Sequence, residues 1–320
     1  MAEIGTDIAK AKAILDKGGL VAIPTETVYG LAGNAFNEES VSKIFEAKNR
    51  PSFDPLIVHT NSLDKIRSFT TNIPKEAEKL AERYWPGPLT LLLEKTALVP
   101  DLTTSGLDSV ACRIPSHPIT LELLSVLDYP LAAPSANPFG YVSPTTAEHV
   151  NQQLGDRIDY ILDGGSAKVG IESTIVSFAE LEPKVLRLGG LSVEDVEDEI
   201  GPVNVSLHSS SKPSAPGMLK SHYAPQKTIV LLNDINLHDI TDYSEFGAMV
   251  FQHPLPQLSV ENQLILSEQG DVTEAAKNLF KYLRLLDERS DIHTIITDFV
   301  PNKGLGRAIN DRIKRATTKT

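Results

Sequence analysis

The sequence has one cysteine and no long apolar run. Cys112 has no partner for an intramolecular disulfide or a cysteine-based zinc site, which suits a reducing compartment. No apolar stretch approaches the roughly 20 residues that cross a bilayer, and the N-terminal residues lack the basic start and apolar core of a signal peptide. We therefore expect a cytoplasmic protein with no membrane association.

Several catalytic signatures are also missing. The sequence has no Walker A loop, no GxSxG elbow and no HExxH pair, which excludes the enzyme classes that depend on them. The formal net charge of −12 argues against a protein that wraps nucleic acid. The basic C-terminal end, which includes Arg312 and Arg315, is explained equally well by a local RNA patch or by the solvated face of a last helix.

The chain length and a change in composition along the sequence indicate two domains. The 320 residues exceed one typical domain of roughly 100 to 200 residues, and a stretch rich in serine, proline and glycine interrupts the pattern of strands and helices. We predict a first domain at 1–208, a linker at 209–225 and a second domain at 226–320.

Short apolar runs alternate with helical patterns, which favours an α/β fold. The short connections around 174–188 indicate a mixed sheet, and the pattern after 226 indicates a small βαβ domain with a helix near 305–316. A first helix is expected to begin at Thr6, which can act as its N-cap. The predicted strands of the first domain are 20–24, 56–58, 89–93, 110–114, 131–133, 160–162, 174–178 and 185–188.

Polar residues gather at the ends of these strands, where open α/β sheets bind ligands. Thr27 lies in the loop after the first strand, and Lys48 and Arg50 precede a proline break. The two cations suit phosphate binding, although a helix C-terminus favours cations in any case. His59 ends the following strand, where a structural role is the common one.

Arg113 interrupts an otherwise apolar strand. Since an unpaired buried charge is costly, it must meet an anion, and a substrate carboxylate and an internal acid are equally good candidates. Glycine and proline turns further along carry more hydrogen-bonding groups and could form anion nests or ordinary loops. These groups are Ser135, Asn137, Ser143, Ser173 and Arg187.

Together and in this order, the segments resemble the YrdC-like family of L-threonylcarbamoyladenylate synthases. The resemblance lies in PTETVYGL, KNRPSFDPLIVH, ACRIP, APSAN, STIV and RLG, and SAPGMLKSHYAP resembles the linker of the family's two-domain branch. It implies a YrdC-like twisted mixed sheet with flanking helices and a smaller, Rossmann-like C-terminal βαβ domain.

The resemblance also implies a reaction. Threonine and bicarbonate or CO2 form a carbamate, which attacks the α-phosphorus of ATP and releases pyrophosphate with Mg²⁺; the product then serves a tRNA threonylcarbamoyl transferase complex. Lys48 and Arg50 are the catalytic candidates by this resemblance. The expected threonine contacts are Thr27, His59, Arg113, Ala133 and Ser173, and the expected ATP contacts are Arg50, Asp54, Ser109, Ser135, Ser143, Arg187 and Tyr223.

Asp54 departs from the family's usual asparagine, and a carboxylate there would repel phosphate unless a cation offsets it. Two other interpretations of the sequence are an RNA-binding module of the same fold and a carbamoyl-transfer maturation enzyme. The acidic balance disfavours the first, and the lack of a cysteine-rich zinc segment disfavours the second. We expect a monomer with at most a weak tRNA contact.

Overall fold

The computed structural model describes residues 1–207, 213, 215–218 and 223–318. Most of the predicted linker therefore lies outside the described residues. The strands are β1 (Glu3–Gly5), β2 (Val21–Ile23), β3 (Gly30–Asn34), β4 (Ile57–His59), β5 (Leu89–Glu94), β6 (Ser109–Arg113), β7 (Leu131–Ala132), β8 (Tyr160–Leu162), β9 (Thr174–Ser177), β10 (Lys184–Arg187), β11 (Asn204–Val205), β12 (Thr228–Leu231), β13 (Phe246–Val250), β14 (Gln263–Ile265) and β15 (Thr294–Thr297). The helices are α1 (Ile8–Asp16), α2 (Glu38–Lys48), α3 (Leu63–Phe69), α4 (Lys75–Tyr84), α5 (Asp101–Thr104), α6 (Pro118–Val126), α7 (Ala147–Leu154), α8 (Val193–Ile200), α9 (Val272–Asp287) and α10 (Gly306–Thr317).

The first domain is built on one mixed sheet of eleven strands in the order β1-β8-β2-β3-β7-β4-β6-β5-β9-β10-β11. In this sheet β4 lies between β6 and β7, and it pairs with β6 in parallel and with β7 in antiparallel orientation. The apolar run of β5 is buried from Leu89 to Leu93, as expected for a strand covered on both faces. The predicted mixed α/β sheet is confirmed.

The C-terminal domain has its own sheet, in which the order is β12-β15-β13-β14 and all pairs are parallel. The apolar side chains of α9 pack against this sheet and against the first domain, so one buried cluster contains Leu91 of β5 together with Tyr223 and Phe280. The two sheets therefore share a continuous apolar core. No helix among the described residues has the length and apolarity to cross a bilayer.

Local sequence explains where most helices begin. The Asn37 side chain accepts a hydrogen bond from the Ser40 amide and caps α2, and Pro118 occupies the first turn of α6. The first helix was predicted wrongly by one residue, because Asp7 caps α1 in place of Thr6 and the preceding residues form β1. The prediction also missed β3, whose two glycines and small residues lack the apolar run of a buried strand.

Candidate functional site

One cavity lies where the β2–β3 loop, the ends of β4, β6 and β10, and the linker meet. Its free volume is about 50 Å³, room for a few water molecules at roughly 10–15 Å³ each. The first domain supplies most of the lining and the linker supplies the rest. The lining residues are Thr25, Thr27, Val28, Gly30, Arg50, Ile57, His59, Arg113, Ala133, Pro134, Ser135, Glu172, Arg187, Pro216, Gly217 and Tyr223.

Arg50 enters the cavity from the turn after α2, where Asn49 adopts a left-handed conformation with φ 52°. Its guanidinium donates to the carbonyl oxygens of Asp54 and Pro55 at 3.1 and 2.8 Å. The Asp54 Oδ2 atom lies 2.9 Å from Arg50 Nη2. Burial lowers the pKa of Arg50, and the neighbouring carboxylate opposes that effect.

Asp54 was predicted to contact ATP, but it does not line the cavity. Its side chain is 1% exposed and reaches Arg50, yet neither carboxylate oxygen receives a hydrogen bond of good geometry from the described residues. Burial raises the pKa of Asp54, against the effect of Arg50 and Lys48. Asp54 is therefore a buried, incompletely satisfied acid behind the cavity wall.

Lys48, predicted with Arg50 to act on phosphates, also lies outside the cavity lining. Its ammonium group donates to the carbonyl oxygens of Ser135 and Asn137. Burial, with Arg50 nearby, lowers the pKa of Lys48 well below its usual value. In this structure Lys48 fixes the loop that presents Ser135 to the cavity.

Arg113 meets an internal acid, one of the two alternatives for its partner. Nη2 lies 2.7 Å from Glu26 Oε1, and Nε donates to the Gly87 carbonyl at 3.2 Å. Glu26 also accepts a hydrogen bond from the Ser116 amide at 3.0 Å. The arginine still lines the cavity, so the ion pair orients it without removing it from the site.

Thr27, His59 and Ala133 line the cavity near Arg113. The Thr27 hydroxyl lies 2.8 Å from the Thr25 hydroxyl, which in turn donates to the Val28 carbonyl. His59 Nδ1 lies 3.2 Å from the Ile57 carbonyl oxygen, so this nitrogen carries the proton. Burial lowers the pKa of His59 to about 3, and the ring is neutral at physiological pH.

Arg187, at the end of β10, lines the cavity beside the linker. It donates to the Ser173 carbonyl at 2.9 Å and to the Ser173 hydroxyl at 3.0 Å, while Nη1 lies 3.5 Å from the Pro216 carbonyl. Burial lowers the pKa of Arg187 to about 10. Ser173, predicted to contact threonine, thus lies behind Arg187 and is not part of the lining.

Ser143 and Ser109 were predicted to contact ATP, and neither lines the cavity. The Ser143 hydroxyl donates to Glu172 Oε1 at 2.5 Å, one bond away from the lining. Ser109 begins β6 and Arg113 ends it, so the two are roughly 13 Å apart at about 3.3 Å per residue. Between them, the linker residues Ala215 and Met218 pack on the sheet face of β6.

Sequence reasoning missed two buried charges. Glu172 lines the cavity, and its Oε2 atom accepts two bonds from Arg312 of α10. The Arg312 guanidinium also lies 5.0 Å from the ring of Tyr223, which stacks on Phe280. Glu172 lies inside a segment that the sequence had marked, but a lone acid beside glycines gives no sign of its partner.

Two arginines of the C-terminal basic end are explained by such contacts, whereas Lys314 of the same helix is exposed. The side chains of Arg312 and Arg315 are 0% and 3% exposed and pair with acids. They are not available as a surface patch, so a weak tRNA contact cannot depend on them.

The fold and this cavity define a class. An α/β sheet brings three arginines, a neutral histidine and hydroxyl groups to one cavity, and the last helix of a second domain contacts the lining residue Glu172. These features are those of a two-domain enzyme that binds an anionic substrate.

Comparisons with known proteins give the particular family. Residues 13–189 match the Sua5/YciO/YrdC family, described as "Telomere recombination", and residues 176–318 match "Threonylcarbamoyl-AMP synthase, C-terminal domain". The threonylcarbamoyl-AMP synthase of Pyrococcus abyssi is 40% identical over 96% of this chain and 93% of its own length, and that of Bacillus subtilis is 40% identical over 97% and 92%. The crystal structure of P. abyssi Sua5 complexed with L-threonine superposes with a TM-score of 0.90 at 37% identity and covers 99% of this chain and 97% of that one. The chain belongs to the Sua5/YrdC family, in its two-domain branch of threonylcarbamoyl-AMP synthases, and the predicted family, fold and enzyme activity are confirmed.

Proposed function

We propose that this cavity is where the chain joins L-threonine, bicarbonate or CO2, and ATP into threonylcarbamoyl-AMP and pyrophosphate. The observation that carries the proposal is convergence: Arg50, Arg113, Ser135 and Arg187 come from four separate segments and line the same cavity. A separate location for any of these residues would have removed the means of holding an amino acid beside a nucleotide.

Threonine is assigned to the wall that contains Arg113, Thr27, His59 and Ala133. Glu26 and the Gly87 carbonyl fix the Arg113 guanidinium, so its remaining nitrogen can bind a carboxylate in a preset orientation. The neutral ring of His59 keeps one nitrogen without a proton, which can accept a hydrogen bond from a hydroxyl. The L-threonine complex of the P. abyssi relative supports an amino-acid site in this fold.

ATP is assigned to the wall that contains Arg50, Ser135, Arg187 and Tyr223. Arginine suits phosphate because its planar fork makes paired hydrogen bonds. The proposed roles of Ser143, Ser173 and Lys48 are to hold this wall, because each contacts a lining residue or its loop. Asp54 and Ser109 reach ATP only if the linker shifts or ATP extends along β6. We place Mg²⁺ on ATP itself, because Mg²⁺ in nucleotide enzymes is held largely by substrate phosphates.

The chemistry suits a site without a protein nucleophile. The threonine amine and CO2 form a carbamate, and a carbamate oxygen attacks the α-phosphorus; the bond to the bridging oxygen breaks and pyrophosphate takes the electron pair. Holding the reactants together and offsetting the negative charge that develops on the phosphates account for most of the rate. Buried arginines do this well, since they act in a low dielectric. The product is a mixed anhydride for transfer to tRNA by a separate threonylcarbamoyl transferase complex.

The test is incubation of the pure protein with ATP, L-threonine, bicarbonate and Mg²⁺, followed by mass spectrometry and a pyrophosphate assay. We expect threonylcarbamoyl-AMP and pyrophosphate in equal amounts, and neither when threonine is omitted. Release of orthophosphate, or pyrophosphate formation that does not depend on threonine, would contradict the proposal. The matched control is the same incubation with L-serine, which differs from threonine by the side-chain methyl group.

A further inference from the structure

The last helix of the C-terminal domain reaches into the first domain at Arg312. The Arg312 side chain is fully buried, and its Nε and Nη2 atoms donate to Glu172 Oε2 at 3.2 and 3.0 Å. Glu172 belongs to the loop before β9, so the ion pair joins the two domains directly. A buried pair of this kind needs further bonds to both partners to be held in one geometry.

Both partners have such bonds. The second oxygen of Glu172 accepts the Ser143 hydroxyl, and the next residue, Ser173, receives two hydrogen bonds from Arg187. Arg312 Nη1 lies 3.1 Å from Asp311, an acid that also binds Arg315. One continuous set of contacts therefore runs from α10 to the cavity wall.

The same helix also holds the linker. Arg315 donates to the carbonyl oxygen of Gly217, which lines the cavity, and the Arg312 guanidinium lies against the Tyr223 ring. The contacts of α10 thus converge on the wall that contains Arg187. The partners of Arg113 come instead from the first domain, where Glu26 and the Gly87 carbonyl accept its hydrogen bonds.

We propose that Arg312 is a positioning residue for the ATP side of the cavity. It holds Glu172 in the binding geometry and, through Glu172, it holds Ser143 and the Ser173–Arg187 contact. The C-terminal domain is then required for use of ATP more than for use of threonine. This inference rests on the proposed assignment of the two walls.

Removal of the Arg312 charge has a defined consequence. Glu172 would remain buried, with Arg187 as the other cation whose charge acts on it. Attraction between them would draw Arg187 away from Ser173, and the uncompensated carboxylate would repel the phosphates. ATP binding should weaken, while the threonine wall keeps its own partners.

The experiment compares Arg312→Met, Glu172→Gln and the double variant with the wild-type chain. Arg312→Met should raise the KM for ATP by about tenfold or more, equivalent to roughly 1.4 kcal/mol, and leave the KM for threonine within about twofold. The double variant should recover part of the loss, because the neutral amide can still accept a bond from Ser143 without leaving a buried charge. Arg312→Lys should be intermediate.

Arg307→Met is the matched control, since Arg307 lies on the same helix and pairs with Glu194 at a half-exposed site. It should leave both KM values unchanged. A purely structural role for Arg312 would lower the melting temperature and kcat with both KM values intact, or raise both equally, and either result would overturn the inference. If Arg312→Met does not fold, Glu172→Gln and the double variant decide it, and wild-type ATP affinity in both would overturn it.

Calorimetric titration with Mg-ATP separates this inference from the proposed function. A wild-type chain that binds Mg-ATP but forms no threonine-dependent pyrophosphate would remove the proposed function. The dissociation constant of Arg312→Met would still test the positioning role.

Discussion

Arg113 and Arg187 lie on opposite walls of one cavity, and their removal should affect different substrates. Arg113→Ala takes away the guanidinium that Glu26 orients toward the assigned threonine site. Arg187→Ala takes away the guanidinium that Ser173 orients toward the assigned ATP site. We expect the first variant to raise mainly the KM for threonine and the second to raise mainly the KM for ATP.

The magnitude follows from the kind of bond lost. A hydrogen bond to a charged group contributes about 1.5–3 kcal/mol, and each 1.4 kcal/mol corresponds to about a factor of ten in affinity. The expected rise in KM is therefore on the order of 10- to 100-fold for the substrate concerned. Arg113→Ala also leaves Glu26 unpaired, so Glu26→Gln combined with Arg113→Ala separates that penalty from loss of the substrate contact.

The assay is pyrophosphate release with one substrate varied at saturating concentrations of the others. Arg67→Ala is the control for loss of an arginine, because Arg67 is half-exposed and, within the described part of the chain, its ion pairs are with the surface acids Asp64 and Glu78. Equal increases in both KM values for each variant would refute the division of the cavity into two walls.

Three further perturbations test the site. Asp54→Asn should lower the KM for ATP a few-fold, since it removes a buried charge that competes for Arg50; a higher Mg²⁺ requirement instead would contradict this and point to Asp54 as a metal ligand. The pKa of His59 is about 3 in the folded chain and about 6.5 when unfolded, so the unfolded chain binds more protons between these values and stability falls as pH drops. Denaturant melts should show that this group makes the free energy of unfolding about 2 kcal/mol smaller at pH 5 than at pH 7. The His59→Gln variant should lack this pH-dependent difference, and a pH dependence equal to that of the wild-type chain would contradict the prediction. Gly217→Ala should cost about 1 kcal/mol of stability and raise the KM for ATP, because φ is +81° and the new Cβ would lie 3.2 Å from Arg187 Cδ; wild-type melting and kinetics would contradict this.

The fold could be predicted wherever one chain segment carries its own signal. Apolar runs such as Leu89–Leu93 and caps such as Asn37 and Pro118 are local, and the structure has strands and helices there. By contrast, β3 is stabilised by pairing with β2 and β7, so its glycine-rich sequence carries little strand signal of its own. Strand order likewise depends on contacts between distant segments, which a single sequence does not record.

The site residues also fall into those that the sequence could identify and those that it could not. Arg113 could be identified because a charged residue within an apolar strand is unusual, and Arg50 and Arg187 because they stand beside proline and glycine turns in segments that resemble the family; all three line the cavity. Which residues face the cavity and which support it could not be identified, because Lys48 and Ser173 are separated from it by a single hydrogen bond. Glu172 and Arg312 were missed because their pairing joins positions 140 residues apart.

The arginines of this site already have internal partners before any substrate arrives, and that shapes how binding must work. Each guanidinium is held on one side by internal acceptors: the Asp54 region for Arg50, Glu26 for Arg113 and Ser173 for Arg187. The guanidinium groups are therefore already removed from water when the chain folds. A substrate anion is then strongly attracted without a further desolvation penalty for the protein. The weakest of the internal contacts is the 3.5 Å approach of Arg187 to the Pro216 carbonyl in the linker. Since the linker residues Pro216 and Gly217 line the cavity beside Arg187, phosphate should replace this contact first, and linker displacement then becomes part of the free energy of ATP binding.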